Sequence, residues 1–135
     1  MTKIIIGVKG TGKTKTLINM INSALGSSNG SVVCIEKGDN LRLQVSYNCR
    51  LINSDEYLIK DAQSLYGFLA GLLASNHDIT DLFIDATYRI CQRDLASFDK
   101  FLTEADELTS KCGVNLVMTL SMPAEEATEN IKKYL

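Results

Sequence analysis

The residues best suited to chemistry lie near the start of the chain, where residues 7–14 read Gly-Val-Lys-Gly-Thr-Gly-Lys-Thr. This segment fits the phosphate-binding pattern G-x-x-x-x-G-K-[ST] at every fixed position. Lys3 and the apolar β-branched run Ile4-Ile5-Ile6 precede it, and an amphipathic segment that begins near Lys13 follows it. Because the pattern binds phosphate between a strand and a helix, the segment predicts a nucleotide phosphate site. The alternative is a structural glycine turn before a helix.

Each residue of this segment has a predicted role in binding phosphate or Mg²⁺. The glycines can adopt positive φ, so the loop can turn its backbone N–H groups toward a phosphate, and the helix that follows adds its own N–H groups. Lys13 is expected to reach the β- and γ-phosphates and to serve catalysis, and the Thr14 hydroxyl is expected to ligate Mg²⁺. The other predicted nucleotide-contacting residues are Gly7, Val8, Lys9, Gly10, Thr11, Gly12 and Lys15.

A carboxylate that follows a buried strand is the second candidate for the Mg²⁺ site. Leu82-Phe83-Ile84 is a short apolar run, and Asp85 comes directly after it. An ionised carboxylate at the end of an apolar strand needs a partner, and a hydrated cation would supply one. Asp85 is therefore expected to hold Mg²⁺ and to serve catalysis. The alternative is that it caps a helix or a loop.

Strands and helices alternate along the chain, which predicts an α/β fold with a mainly parallel sheet and helices on both faces. The expected strands are residues 3–7, 32–36, 82–85 and 114–120. The expected helices are residues 13–25, 61–76 with Asp61 as the cap, 94–112 with Asp94 as the cap and Gly113 as the end, and a short one after Pro123. Gly67 and Gly71 are expected to let the second helix pack closely on the sheet.

Residues 41–52 have the least regular pattern. Apolar and polar side chains alternate from residue 41 to residue 47, which is typical of a half-exposed strand. Residues 49–52 are then expected to form either the return strand of a hairpin or another strand of the sheet. The two expected strands, 41–47 and 49–52, are placed at the edge of the sheet. Because an edge strand can pair with another chain, this segment is the expected contact for a homo-oligomer or another protein partner.

The length and the charge distribution of the chain limit the classes of protein to which it could belong. The 135 residues predict a single domain over residues 1–135, and no apolar run approaches the ~20 residues of a membrane span. Residues 1–50 carry seven Lys/Arg and two acids, whereas residues 51–135 carry seven Lys/Arg and fourteen acids. The basic half contains the phosphate loop, which suits an anionic ligand. Since no lysine-arginine tract is present, nucleic acid is not an expected partner.

The cysteines and the first residues bear on the cellular compartment. The four cysteines include no C-x-x-C pair, and only one histidine accompanies them. This argues against a zinc site and against a disulfide framework. Met1-Thr2-Lys3 leads straight into an expected strand, which predicts no signal peptide. A cytoplasmic location is therefore expected.

The order of these features resembles the additional-strand division of P-loop NTPases, which includes RecA, AAA+ and secretion ATPases. The resemblance implies a three-layer α/β/α P-loop NTPase fold in which the four main strands have the order 1-4-3-2. The chain is also similar to short bacterial P-loop proteins that are often labelled, by automatic transfer, as twitching-motility (pilus-retraction) ATPases. The segments GVKGTGKT, VVCIEKGDN and NHDITDLFID carry this similarity. True pilus-retraction motors share only the phosphate loop, so the resemblance implies binding of ATP and Mg²⁺ rather than pilus retraction.

Hydrolysis also requires a group that polarises the attacking water. Many P-loop ATPases carry a glutamate directly after the second acid, but this chain has Ala86 there. The resemblance to RecA-like ATPases makes Glu36, at the end of the second expected strand, the best substitute. The alternative is a surface carboxylate beside Lys37, and Asp39 in the following turn is a poorer candidate.

Polar residues near two strand ends could complete the site. Thr119 or Ser121, at the end of the last expected strand, could sense the γ-phosphate, although Ser121 could equally cap a helix. Arg89 and Arg93 follow Asp85 and could stabilise transition-state charge, within the chain or across a subunit contact. The alternative for both arginines is an exposed salt bridge.

Three functions fit these residues. The first is an ATP-binding protein with weak Mg²⁺-dependent ATPase activity. The second is a nucleotide-dependent protein-interaction module with little or no turnover. The third, a small-molecule kinase, is less favoured because no arginine-rich lid segment is present. GTP is disfavoured because the chain has no N-K-x-D motif.

Overall fold

A single sheet of five strands forms the centre of the computed structural model, which describes residues 1–135. The strands are β1 (Thr2–Gly7), β2 (Ser31–Glu36), β3 (Cys49–Asn53), β4 (Ile79–Ile84) and β5 (Asn115–Ser121). Their order across the sheet is β1-β5-β4-β2-β3, and every neighbouring pair is parallel. The expected α/β fold with a mainly parallel sheet is thus confirmed.

Five α-helices accompany the strands: α1 to α4 lie between strands in the chain, and α5 follows the last strand. They are α1 (Lys13–Ser27), α2 (Ala62–Ser75), α3 (Thr87–Ile90), α4 (Leu95–Cys112) and α5 (Glu129–Lys132), with short 3₁₀ turns at Ser54–Tyr57 and Ala124–Glu126. The Asp61 carboxylate accepts a hydrogen bond of 2.8 Å from the Ser64 N–H, which confirms the predicted cap of α2. Gly113 ends α4 with φ 70°, a left-handed conformation that glycine adopts without strain. None of the helices combines the length and the apolar character needed to cross a membrane.

Helices cover both faces of the sheet. Successive side chains of a strand point to opposite faces, and the core is accordingly divided into two apolar clusters. On one face, Leu17 and Ile21 of α1 pack with Phe83 of β4. On the other face, α2, α4 and α5 pack against the alternate strand residues, such as Leu82 and Ile84. The arrangement is compatible with a three-layer α/β/α fold.

The prediction of a strand over residues 41–47 is wrong. These residues form turns, in which the N–H groups of Gln44 and Val45 donate to the Leu41 carbonyl oxygen at 2.9 and 3.0 Å. Leu41 and Val45, four residues apart, are buried, whereas Leu43 and Tyr47 are 92% and 94% exposed. The alternation therefore reflects a turn with one buried side, because Leu41 and Val45 pack into the cluster that contains α1.

The prediction for residues 49–52 is correct in part. They belong to β3, which lies at the edge of the sheet as expected and pairs with β2 in parallel. No hairpin forms, because a hairpin requires an antiparallel partner and the preceding turn supplies none. The segment 41–52 is thus a one-sided turn followed by a parallel edge strand.

The packing predicted for the glycines of α2 is also wrong. Gly67 and Gly71 are exposed, and a Cβ atom added to either would contact nothing within 4 Å. The buried face of α2 is instead formed by Leu65, Leu69 and Leu73. The two glycines lie on the solvent side of the helix.

Candidate functional site

The segment that joins β1 to α1 has the backbone shape that its glycines predicted. Gly10 and Gly12 have φ values of 87° and 83°, in the left-handed region that favours glycine. A Cβ atom added to Gly7 would lie 2.6 Å from the Thr11 hydroxyl oxygen, which is too close without movement of Thr11. The loop starts at the carboxyl end of β1 and leads directly into the first turn of α1. The left-handed conformation at residue 12 therefore favours the glycine that the motif specifies there.

The positively charged Lys13 side chain lies inside this loop. The Lys13 Nζ atom donates a hydrogen bond of 3.0 Å to the Val8 carbonyl oxygen, and the Thr11 hydroxyl donates to the same oxygen at 2.8 Å. Lys13 is only 8% exposed and forms no salt bridge. A buried ammonium without an anionic partner is costly. An anion bound in the loop would supply that partner.

Most of the other predicted nucleotide-contacting residues of the loop are exposed. Val8, Lys9, Thr14 and Lys15 are exposed. Lys9 and Lys15 form no salt bridge with any carboxylate. The loop and the first turn of α1 therefore carry three lysines without a salt bridge, one buried and two exposed, which favours a positive potential at this end of the sheet.

The structure brings the loop and the predicted second acid together. Asp85 directly follows β4, and its Oδ2 atom accepts a hydrogen bond of 3.4 Å from the Thr14 hydroxyl at the start of α1. Its Oδ1 atom accepts a shorter bond, of 2.6 Å, from the Thr119 hydroxyl on β5. No cationic side chain pairs with Asp85. The carboxylate is thus held by two hydroxyl groups without a counter-charge from the protein.

The donor set of this pair fits Mg²⁺ bound together with a phosphate. Mg²⁺ prefers oxygen ligands and is usually held by one or two carboxylates, water and substrate phosphates rather than by an all-protein cage. Thr14 and Asp85 supply one hydroxyl and one carboxylate. No group of three or more His, Cys, Asp or Glu side chains is placed to hold a metal. The remaining ligands would therefore have to come from water and phosphate.

Thr119 contacts both Asp85 and the backbone that follows it. Its hydroxyl is buried, donates to Asp85, and accepts a hydrogen bond of 2.8 Å from the Ala86 N–H. A hydroxyl can donate only one hydrogen bond, and here Thr119 donates it to Asp85. The geometry thus makes Thr119 a residue that positions Asp85, and its predicted contact with the γ-phosphate stays a prediction. Ser121 is exposed at the end of β5.

Glu36 is at the end of β2 and is buried, with 2% of its surface exposed. Its two carboxylate oxygens accept hydrogen bonds from the backbone N–H groups of Asn40, at 2.9 Å, and Leu41, at 3.3 Å. Burial raises the pKa of the Glu36 carboxyl; the two N–H donors oppose the rise, and the charges of Asp39 and Asp85 add to it. Glu36 therefore shapes the turn that follows β2. Its catalytic role stays a prediction.

The remaining candidates are more peripheral. Arg89 and Arg93 lie in and after α3, are exposed, and form no salt bridge. Asp39 pairs with Arg42 at 3.3 Å on the surface of the turn. From the sequence, Ala86 is notable only because it stands where many P-loop ATPases have a glutamate. Its backbone has φ 58°, and its N–H donates a hydrogen bond to Thr119. No local sequence pattern predicts this arrangement.

Comparisons with known proteins add no family to this description. A scan against protein-family models finds no match, and a search of curated proteins finds none either. The functional argument therefore depends on the geometry of the loop, Asp85 and their neighbours.

Proposed function

We propose that the chain is a P-loop NTPase-fold protein that binds ATP together with Mg²⁺ and hydrolyses it slowly. The order of its four main strands, β1-β5-β4-β2, corresponds to the 1-4-3-2 order that the resemblance implies, and this supports the proposal. The glycine-rich loop between β1 and α1 supports it too, since its unpaired cations and helix N-terminus favour a phosphate.

One observation carries the proposal. The Thr14 hydroxyl, at the end of the loop, lies 3.4 Å from the carboxylate of Asp85, although the two residues are 71 positions apart. A hydroxyl and an unpaired carboxylate beside a phosphate loop are the oxygen donors expected around Mg²⁺ in such proteins. A purely structural glycine turn would not require this pair.

Different residues would bind the phosphates, hold Mg²⁺ and polarise the attacking water. Backbone N–H groups of the loop and Lys13, released from the Val8 carbonyl, would bind the β- and γ-phosphates. Thr14 and Asp85 would hold Mg²⁺, which neutralises phosphate charge when bound. Thr119 would fix the Asp85 carboxylate. Glu36, whose raised pKa brings it closer to the range of a general base, is proposed to polarise the water that attacks the γ-phosphorus as ADP leaves.

A second function, a nucleotide-dependent interaction module with little or no turnover, is favoured by a separate observation. Both oxygens of Glu36 already accept backbone hydrogen bonds, and Ala86 has no group that could polarise water. The turn that Glu36 holds exposes Leu43 and Tyr47 almost completely. In this alternative, residues 41–52 would contact a protein partner or a second copy of the chain.

Isothermal titration calorimetry tests the binding proposal. ATP, ADP and GTP are titrated into the protein with and without Mg²⁺, and Lys13→Ala is compared with Lys133→Ala, an exposed lysine outside the site. We expect Mg²⁺-dependent ATP binding that weakens by about tenfold to hundredfold in Lys13→Ala, since a lost charged hydrogen bond costs ~1.5–3 kcal/mol. Lys133→Ala should bind normally. Absence of binding, or equal binding by both variants, would contradict the proposal.

Phosphate release under steady-state conditions then separates the two functions. Slow release that is lost in both Asp85→Ala and Glu36→Gln, while Glu36→Gln still binds ATP, would support the ATPase. Tight binding without release above the buffer rate would favour the interaction module.

A further inference from the structure

A cavity of about 380 Å³ lies between α2 and α4, at the opposite end of the sheet from the phosphate loop. Ile79, the first residue of β4, and Val114, just before β5, form its floor. Ligands of open α/β sheets usually bind at the carboxyl ends of the strands. This cavity is at the amino ends, so it is separate from the candidate nucleotide site.

The lining of the cavity is mainly apolar, and the cavity is open to solvent where Ala74, His77, Lys111 and Cys112 are exposed. Seven of its ten lining residues are hydrophobic. α2 lines it with the small side chains of Ala70 and Ala74, and α4 lines it with Leu108. The volume falls within the ~300–1,000 Å³ of known small-molecule sites.

The polar part of the lining is basic. Its three members are His77, Lys111 and the neutral Asn76, and no Asp or Glu contributes. Neither Lys111 nor His77 forms a salt bridge. The basic lining is in the acidic half of the chain, where residues 51–135 carry seven Lys/Arg and fourteen acids. An apolar cavity with a local excess of positive charge is complementary to an anion with an apolar body.

We propose that this cavity binds a small aliphatic carboxylate. The hydrocarbon tail would lie between Leu73 of α2 and Leu108 of α4, and the carboxylate would bind Lys111 and His77 at the mouth. This inference is independent of the proposed nucleotide function, because none of the residues that line the cavity belongs to the nucleotide site.

The chain contains two reporters for this site. Cys112 lines the cavity and is exposed, whereas Cys34, Cys49 and Cys91 are buried. A neutral thiol reagent should therefore modify Cys112 first, and an occupant should shield it. His77 is the one histidine of the chain, so its ring protons give an NMR signal free of overlap from other histidines.

The experiment measures the rate of Cys112 modification and the His77 chemical shifts in the full chain, with hexanoate, octanoate and decanoate below their micelle concentrations. We expect saturable protection, of about tenfold when the carboxylate is at ten times its dissociation constant, with a parallel shift of the His77 signals. Octylammonium should protect little. Lys111→Met should lose the protection, whereas Lys133→Met, at an exposed lysine away from the cavity, should keep it.

Ala74→Leu provides a second test of the location. Its larger side chain should fill the cavity, and because position 74 is exposed on the helix the protein should stay folded. Loss of both signals in this folded variant would support the location. The proposal is overturned if octanoate neither protects Cys112 nor shifts His77, or if octylammonium protects equally well. It is also overturned if folded Ala74→Leu responds like the wild type.

Discussion

Thr119 and Asp85, 34 residues apart, are joined by a hydrogen bond of 2.6 Å from the Thr119 hydroxyl to the Asp85 carboxylate. The same hydroxyl accepts the N–H of Ala86. One buried threonine on β5 thus fixes both the carboxylate that follows β4 and the backbone directly after it. The contact arises because β4 and β5 are neighbours, with Ile84 opposite Met118.

Thr119→Val should weaken both folding and Mg²⁺-dependent nucleotide binding. Valine has nearly the same shape but cannot bond either partner, so the Ala86 N–H would be left without its acceptor. We expect the free energy of unfolding to fall by about 1–3 kcal/mol, measured by urea denaturation. Thr119→Ser retains the hydroxyl and is the matched control. Equal stability and equal ATP affinity in the valine and serine variants would argue against this role of Thr119.

A pair of leucines tests the packing of the turn after β2. Leu41 is buried beside α1 and Leu43 is exposed. Leu41→Ala should therefore lower the free energy of unfolding by about 2–5 kcal/mol. Leu43→Ala should change it by less than about 0.5 kcal/mol. Urea denaturation of both variants is the measurement, and similar losses at the two positions would favour the strand that the alternation first indicated.

Glycine replacements in α2 should stabilise the protein. Gly67 and Gly71 are exposed inside a helix, and alanine is the better helix former by about 1 kcal/mol per position. Gly67→Ala and Gly71→Ala should each raise the thermal midpoint. Gly113→Ala is the contrasting control, because its φ of 70° should make the same change destabilising by about 1–2 kcal/mol. A lower midpoint for the α2 variants would show that the glycines contact something in solution.

The buried Glu36 carboxyl should leave a signature in the pH dependence of stability. Its pKa is raised above the ordinary 4.5, so between that value and its raised value the folded state binds more protons than the unfolded state. The contribution of Glu36 to stability therefore falls as the pH rises through this window. Relative to Glu36→Gln, the wild type should gain stability as the pH is lowered from about 7.5 to about 4.5.

Urea denaturation across this pH range measures the Glu36 effect. Glu125→Gln, at an exposed position, is treated in the same way as a control for the general effect of removing a carboxylate. A difference between wild type and Glu36→Gln that does not change with pH would contradict the proton linkage.

The sequence by itself determined the features that depend on neighbouring residues. The β-branched run before the loop indicated β1, the spacing of glycines indicated the turn into α1, and Asp61 and Gly113 marked helix ends. These follow from local rules, since backbone conformation and capping involve residues only a few positions apart. The alternation of strands and helices was also sufficient for the α/β class with a mainly parallel sheet.

Only the tertiary structure decided the features that depend on distant residues. The turn at residues 41–47 forms because Glu36 accepts hydrogen bonds from the N–H groups of Asn40 and Leu41 where the turn begins, and because Leu41 packs beside α1. These contacts override an alternation that fits a strand equally well. The meeting of Thr14, Asp85 and Thr119 depends on the order of the strands across the sheet. Both features rest on contacts between residues far apart in the chain, which no local pattern specifies.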